Sequence, residues 1–292
     1  MTNLAGAYAP VPTPLDADLL FDARVLAAHL RWLASEGLDG ALILGTNGEF
    51  PSLSLDERRT VAEAAVVAAS GHRLILGVGS CALPEALEMI EVAASLGYDA
   101  VLCPPPFYFR SAPAEGVAAF FLEIIERSVL PVLLYHIPQV TGVPISDDVL
   151  DILVDHRRLE GVKDSSGDPE EMRRLLARFG DRCYLVGNDR LVTACLDAGG
   201  AGSISAAASV APALMASVQR ARTGQASLDR VRSLLESYGL GPSVKSILHH
   251  CGLGEYATRP PLVGLAPDRE EALWEAYCAL VPESQRPKPV KR

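Results

Sequence analysis

Lysine is what this chain has least of among its charged residues. Of 26 basic side chains only Lys163, Lys245, Lys288 and Lys291 are lysine, and arginine supplies the other 22. A chain that uses arginine almost wherever a positive charge will do keeps lysine where arginine fails. Arginine cannot give up its proton, so it cannot act as an amine nucleophile; a lysine relieved of its charge by desolvation can attack a carbonyl carbon. Other absences narrow the field. The six cysteines (Cys81, Cys103, Cys183, Cys195, Cys251 and Cys278) form no CxxC pair and match no zinc spacing. They read as small apolar fillers in a reducing compartment, which suits the cytoplasm. No charged segment followed by an apolar run opens the chain, and every apolar run stops short of the ~20 residues a membrane span requires. No Gly-Lys-Ser/Thr ending marks a P-loop, and Gly77-Val78-Gly79-Ser80 lacks the third glycine of a dinucleotide fingerprint. Positive charge is in deficit overall. A net charge of −10 argues against nucleic acid and anionic membranes as partners, while a local site can still bind an anionic substrate.

What is present is a large apolar core. At 292 residues and 49% hydrophobic, the chain suits one α/β barrel or two smaller domains. Strand-like apolar runs fall at residues 8–13, 40–45, 73–79, 100–104, 131–137, 159–164, 183–187 and 202–206. Helix-like segments fill the gaps, including 22–36, 54–70, 84–96, 113–127 and 169–179. Ser54 and Glu57 have the spacing of a capping box, and Asp168 followed by Pro169 and Glu171 reads as a helix start. Eight alternating units predict a parallel (β/α)8 barrel over residues 1–224, with a doubly wound sheet as the alternative. Three further helices, over 228–238, 243–251 and 268–280, make a C-terminal extension spanning 225–281. The proline-rich basic tail 282–292 is expected to be mobile.

In such a barrel the C-terminal strand ends carry the chemistry. Lys163 ends the sixth run, just before the loop Asp164-Ser165-Ser166-Gly167. Burying an ammonium is costly, so a lysine there is either paired, with Asp164 the ordinary partner, or reactive. The second run ends in Gly45-Thr46-Asn47-Gly48-Glu49, a turn whose backbone N–H groups, hydroxyl and amide fit a carboxylate. The fifth ends in Tyr135, a phenol that can relay protons if wired to another donor, with Thr46 the partner on the same rim. His136 alternates to the other side of that strand and reads as packing. Tyr108 sits in the aromatic loop Pro104-Pro105-Pro106-Phe107-Tyr108-Phe109, a type suited to subunit contacts.

Together the motifs GTNGE, YxxPxxTG and GVKDSSGD, in this order, resemble the dihydrodipicolinate synthase/N-acetylneuraminate lyase superfamily. Thr13-Pro14 and Gly199-Gly200-Ala201-Gly202-Ser203-Ile204-Ser205 add to the likeness, which covers about residues 4 to 280. The resemblance implies a (β/α)8 barrel assembled as a homotetramer, and a class I aldolase that forms a Schiff base with neither metal nor organic cofactor. It implies Lys163 as the residue that condenses with a 2-oxo acid, Tyr135 as proton shuttle, and Thr46 as its link to Tyr108, which reaches into a neighbouring subunit. It implies Thr46 and Asn47 as the carboxylate loop, and the backbones of Gly187 and Ile204 as lining. Ser165 is placed to contact a hydroxyl at C4 of the bound acid, and Asp189 to contact a sugar hydroxyl. The departures are informative. Val140 stands where the lysine-pathway synthase has an arginine for its aldehyde substrate's carboxylate. Asn47, followed by Gly-Glu-Phe-Pro, is similar to 4-hydroxy-2-oxoglutarate aldolase-like members, and Arg190 departs from the acidic neighbour of neuraminate lyases. The expected activity is therefore cleavage or formation of a C–C bond in a 4-hydroxy-2-oxo acid or 2-keto-3-deoxy sugar acid. The alternatives are dehydration through the same imine, 4-hydroxy-tetrahydrodipicolinate synthesis, and a non-catalytic 2-oxo acid-binding barrel.

Overall fold

A computed structural model describes residues 4–69 and 71–288. Eight parallel strands close into one barrel in sequence order: β1 (Gly6–Pro10), β2 (Gly40–Ile43), β3 (Arg73–Gly77), β4 (Ala100–Cys103), β5 (Val132–His136), β6 (Leu159–Asp164), β7 (Cys183–Val186) and β8 (Gly202–Ile204). Pairing of Tyr8 with Ile204 closes the ring between β1 and β8. The doubly wound alternative is thereby excluded. Around the barrel lie α1 (Ala23–Ser35), α2 (Leu55–Ala68), α3 (Leu83–Leu96), α4 (Ala114–Arg127), α5 (Pro138–Thr141), α6 (Asp147–Leu153), α7 (Pro169–Phe179), α8 (Val192–Asp197) and α9 (Pro212–Ala221). The strands stop one to three residues before most of the apolar runs do, because the last residues of each run turn onto the barrel rim.

Period-two alternation divides the apolar residues into two cores. Tyr8, Leu42, Ile75, Leu102, Leu133, Leu185 and Ile204 fill the barrel interior. The larger core, including Ile43, Leu76, Val101, Leu134 and Val186, lies between strands and helices. The helix starts follow from local chemistry. Ser54 caps α2 with a complete capping box, its N–H donating to Glu57 Oε2 (2.8 Å) and its Oγ accepting from the Glu57 N–H (3.3 Å). Asp168 caps α7 by accepting from the Glu170 N–H (2.8 Å). Glu171 does not reach back to that cap, because Arg174 (2.6 Å) and His136 (3.0 Å) hold its carboxylate instead.

Three helices follow the barrel, α10 (Gln225–Tyr238), α11 (Leu240–His250) and α12 (Pro267–Leu280). They are bonded to it at several points. Tyr277 donates to the Val210 carbonyl (2.7 Å), and Arg259 grips the Glu57 carboxylate (2.5 and 2.9 Å) and the Leu19 carbonyl (2.7 Å). In the segment expected to be mobile from Pro282, residues 282–284 are exposed, while Arg286 donates to the Val281 and Cys278 carbonyls (2.8 Å each) and lies over the Trp274 ring. Residues 289–292 of that tail lie outside the described residues. Among the described residues no helix is long and apolar enough to cross a membrane.

One buried group predicts a pH response. His29 of α1 is fully enclosed, with Nε2 3.0 Å from the Ser209 carbonyl. Burial pushes its imidazole from 6.5 down to about 4, against the smaller pull of that hydrogen bond. The unfolded chain thus binds a proton below about 6.5 that the folded chain refuses until about 4, so unfolding free energy falls as pH drops through that window. Urea midpoints at pH 7 and pH 5 check this; His29→Gln is expected to narrow the difference between them.

Candidate active site

Register brings two of the candidate residues together. Tyr135 of β5 pairs directly with Lys163 of β6. Both side chains point into the barrel mouth, while their neighbours His136 and Asp164 point outward. Lys163 is 3% exposed, and its Nζ lies 4.0 Å from the centre of the Tyr135 ring. Its ordinary ion-pair partner is committed elsewhere: Asp164 accepts from Tyr184 Oη (2.7 Å) and the Ser166 N–H (2.8 Å). Among the described residues Lys163 has no carboxylate partner. His136 packs as expected, its Nδ1 accepting from the Ile145 N–H (3.2 Å), which leaves Nε2–H to face Glu171.

The Tyr135 hydroxyl is 3.2 Å from Thr46 Oγ1. Burial alone would raise its phenol pKa. The Lys163 charge, with the polar groups of Thr46, Ser165 and Lys163, outweighs burial and holds it below the ordinary value. A phenol poised this way releases and recovers a proton more readily. The loop carrying Thr46 is held by Thr13, whose Oγ donates to the Gly48 carbonyl (2.7 Å). Its left-handed residues are Leu44 (φ 57°) and Glu49 (φ 54°) rather than the two glycines. Such non-glycine positions are strained and persist only where the surroundings hold them. Here the buried Glu49 carboxylate meets Lys245 Nζ at 2.6 Å, and Lys245 also donates to the Ala257 carbonyl (2.9 Å).

A cavity of about 490 Å³ opens above these groups. Seven of the nine residues singled out in the sequence line it: Thr46, Asn47, Tyr135, Lys163, Ser165, Gly187 and Ile204. A Cβ at Gly187 would stand 1.9 Å from Ser165 Oγ and 2.9 Å from Ser165 Cβ, so a larger residue there forces Ser165 to move. Asn47 presents a buried Nδ2 with no hydrogen-bond partner. Two residues lie elsewhere. Asp189 is fully buried behind the wall, accepting from Ser205 Oγ (2.6 Å), the Ala207 N–H (3.1 Å) and Arg232 Nη1 (2.9 Å). It does not line the cavity. Tyr108 is 79% exposed, with its backbone N–H on Cys81 Sγ (3.3 Å) and its ring edge-on to Phe109. A second, apolar cavity of about 340 Å³ shares Thr46 and Tyr135 with the first and is lined by Phe50, Pro104 and Phe107. Sequence reasoning missed Glu49, Gln139, Arg232, Thr258, Leu262 and Val263 on the main cavity wall. The last four come from the C-terminal extension, whose placement no local motif announces.

Comparison with known proteins agrees with the fold. The family model for the dihydrodipicolinate synthetase family matches residues 3–278. An uncharacterized DapA-like lyase of Chloroflexus aurantiacus is 36% identical over 95% of this chain and 97% of its own length. A 4-hydroxy-tetrahydrodipicolinate synthase of Gluconacetobacter diazotrophicus is 31% identical over 94% and 96%. The crystal structure of a chloride-inhibited dihydrodipicolinate synthase from Acinetobacter baumannii, complexed with pyruvate, superposes with a TM-score of 0.89 at 28% identity, covering 95% of this chain and 99% of that one. The chain belongs to the dihydrodipicolinate synthetase family, carbon–carbon lyases of the class I aldolase type.

Proposed function

We propose that this protein cleaves or forms the C3–C4 bond of a 4-hydroxy-2-oxo acid or 2-keto-3-deoxy sugar acid, through an imine on Lys163. The observation that carries the reading is a buried lysine without a carboxylate partner among the described residues, in register with a tyrosine wired to Thr46. Lys163 Nζ attacks the C2 carbonyl of the bound acid, and water leaves to give a protonated imine. In the cleavage direction Tyr135 accepts the C4 hydroxyl proton, the C3–C4 bond breaks, and its electron pair moves into the imine as an enamine. The aldehyde departs, the enamine is protonated at C3, and water releases pyruvate together with free Lys163. The Thr46–Asn47 loop, with its unpartnered Asn47 Nδ2, binds the acid's carboxylate. Ser165 faces the C4 oxygen, and the backbones of Gly187 and Ile204 line the lysine end. Pyruvate bound to the Acinetobacter baumannii relative supports a 2-oxo acid as substrate.

The lysine-pathway synthase reaction is the second reading, because several relatives bear that name. Val140 disfavours it, since an apolar side chain cannot replace a charge-assisted contact to a carboxylate. We place the enzyme in the cytoplasm, in keeping with its six free thiols, and read it as a homotetramer in which Tyr108 from a second copy enters the apolar cavity beside Thr46 and Tyr135.

Pyruvate release from 4-hydroxy-2-oxo acids, followed with a coupled dehydrogenase, tests the reading. Tyr135→Phe is expected to cut turnover by about 10²–10⁴-fold. Tyr108→Phe is expected to lower turnover only under conditions where copies associate. Full activity in Tyr135→Phe would contradict its role as the proton shuttle, and full activity in a dilute, demonstrably monomeric sample would contradict that of Tyr108.

A further inference from the structure

The C-terminal helices contribute one wall of the cavity, and Arg232 of α10 is the one guanidinium among the described residues lining it. Its charge is already matched. Nη1 donates to Asp189 Oδ2 (2.9 Å) and Nε to Glu236 Oε1 (2.7 Å). Glu236 also holds Arg190 (2.6 Å), and the two arginines, Arg190 first, pull its carboxyl down to about 2. Two acidic and two basic side chains thus form a network with no formal net charge. Nη2 of Arg232 makes no hydrogen bond to any described residue.

We propose that Arg232 is a specificity-determining residue whose Nη2–H donates to an uncharged oxygen, a hydroxyl, on the aldehyde half of the substrate. The assignment rests on the Schiff-base reading above and adds the chemistry of the substrate's other end. A carboxylate arriving at Arg232 would lose hydration, meet no uncompensated positive charge, and lie close to the buried Asp189 carboxylate. Apart from Lys163, which is taken up by the imine, the wall offers no second cation among the described residues, since Val140, Leu240, Leu262 and Val263 are apolar and Gln139 is an amide. A hydroxyl has less hydration to lose and gains a donor already fixed in place by two ion pairs. The hydroxyl contact that the sequence suggested for Asp189 is thus passed to the arginine that Asp189 positions.

Condensation of pyruvate with glycolaldehyde, acetaldehyde and glyoxylate tests this. The variants are Arg232→Lys, which keeps a charge beside Asp189 but loses the guanidinium fork, and the paired Asp189→Asn/Arg232→Met, which removes both charges. Wild type is expected to favour glycolaldehyde over both other aldehydes in kcat/KM by about ten-fold or more. In either variant the preference over acetaldehyde is expected to shrink to within about two-fold, mainly through KM. A wild-type preference for glyoxylate, the absence of any wild-type preference, or a preference that survives in folded variants overturns the assignment. The wild-type comparison decides by itself if neither variant folds. Borohydride trapping of pyruvate on wild type runs in parallel. An intact adduct without condensation with glycolaldehyde counts against Arg232 alone, whereas the lack of any 2-oxo acid adduct removes the Schiff-base reading and the assignment with it.

Discussion

Replacing Lys163 by methionine is expected to abolish turnover and to raise stability together. Methionine matches the length of the lysine stem and is at home in an apolar setting. The lysine it replaces is 3% exposed and has no carboxylate partner among the described residues, because Asp164 faces Tyr184 and the Ser166 N–H on the other side of β6. An unpaired amine kept in such a place costs folding free energy, and removing it is expected to stabilise by about 0.5–2 kcal/mol, as at other functional sites relieved of strain. Loss of turnover follows because no other lysine among the described residues lines the cavity. Urea unfolding and the pyruvate-release assay on the same sample check both halves. A structural lysine would give the opposite pattern, with stability lost and activity partly kept.

Lys245→Met is expected to act in the other direction. Lys245 and Glu49 form an ion pair at 2.6 Å with side chains 4% and 9% exposed. Burial pulls the Lys245 ammonium below its ordinary value, and Glu49 pushes back. Removing the lysine leaves a carboxylate enclosed without its partner, which costs about 3–5 kcal/mol. Glu49 also holds left-handed backbone three residues from Thr46, so turnover is expected to fall with stability. The double variant Lys245→Met/Glu49→Gln is expected to recover much of the loss, and a double-mutant cycle reads the coupling. Additive single effects would show that the pair does not anchor the loop.

These two lysines mark what the sequence could convey. Lys163, Tyr135 and Thr46 come together because each sits at or just past the C-terminal end of a strand, and such positions in a barrel converge in space whatever their separation along the chain. Alternation along β5 was enough to send His136 outward, where it meets Glu171. Asp189 was misplaced for the complementary reason. It follows β7 at the rim as its place in the chain implies, but its direction is set by Ser205, Ala207 and an arginine 43 residues further on in α10. Long-range ion pairs leave no periodicity to read. Arg232 is one of 22 arginines, and nothing nearby distinguishes it. Lys245 did carry a signal, since the scarcity of lysine that singled out Lys163 applies to it equally. Glu171 illustrates local competition: the spacing of a capping box was present, but Arg174 and His136 held its carboxylate more strongly than the cap could.

The central claim is that Lys163 forms an imine with a 2-oxo acid. Borohydride reduction in the presence of pyruvate, followed by peptide mass spectrometry, tests it most directly. The account predicts one reduced pyruvyl adduct, on Lys163 and absent from Lys163→Met. An adduct on another lysine, or no adduct with pyruvate, glyoxylate or longer 2-oxo acids on a folded protein, would contradict it.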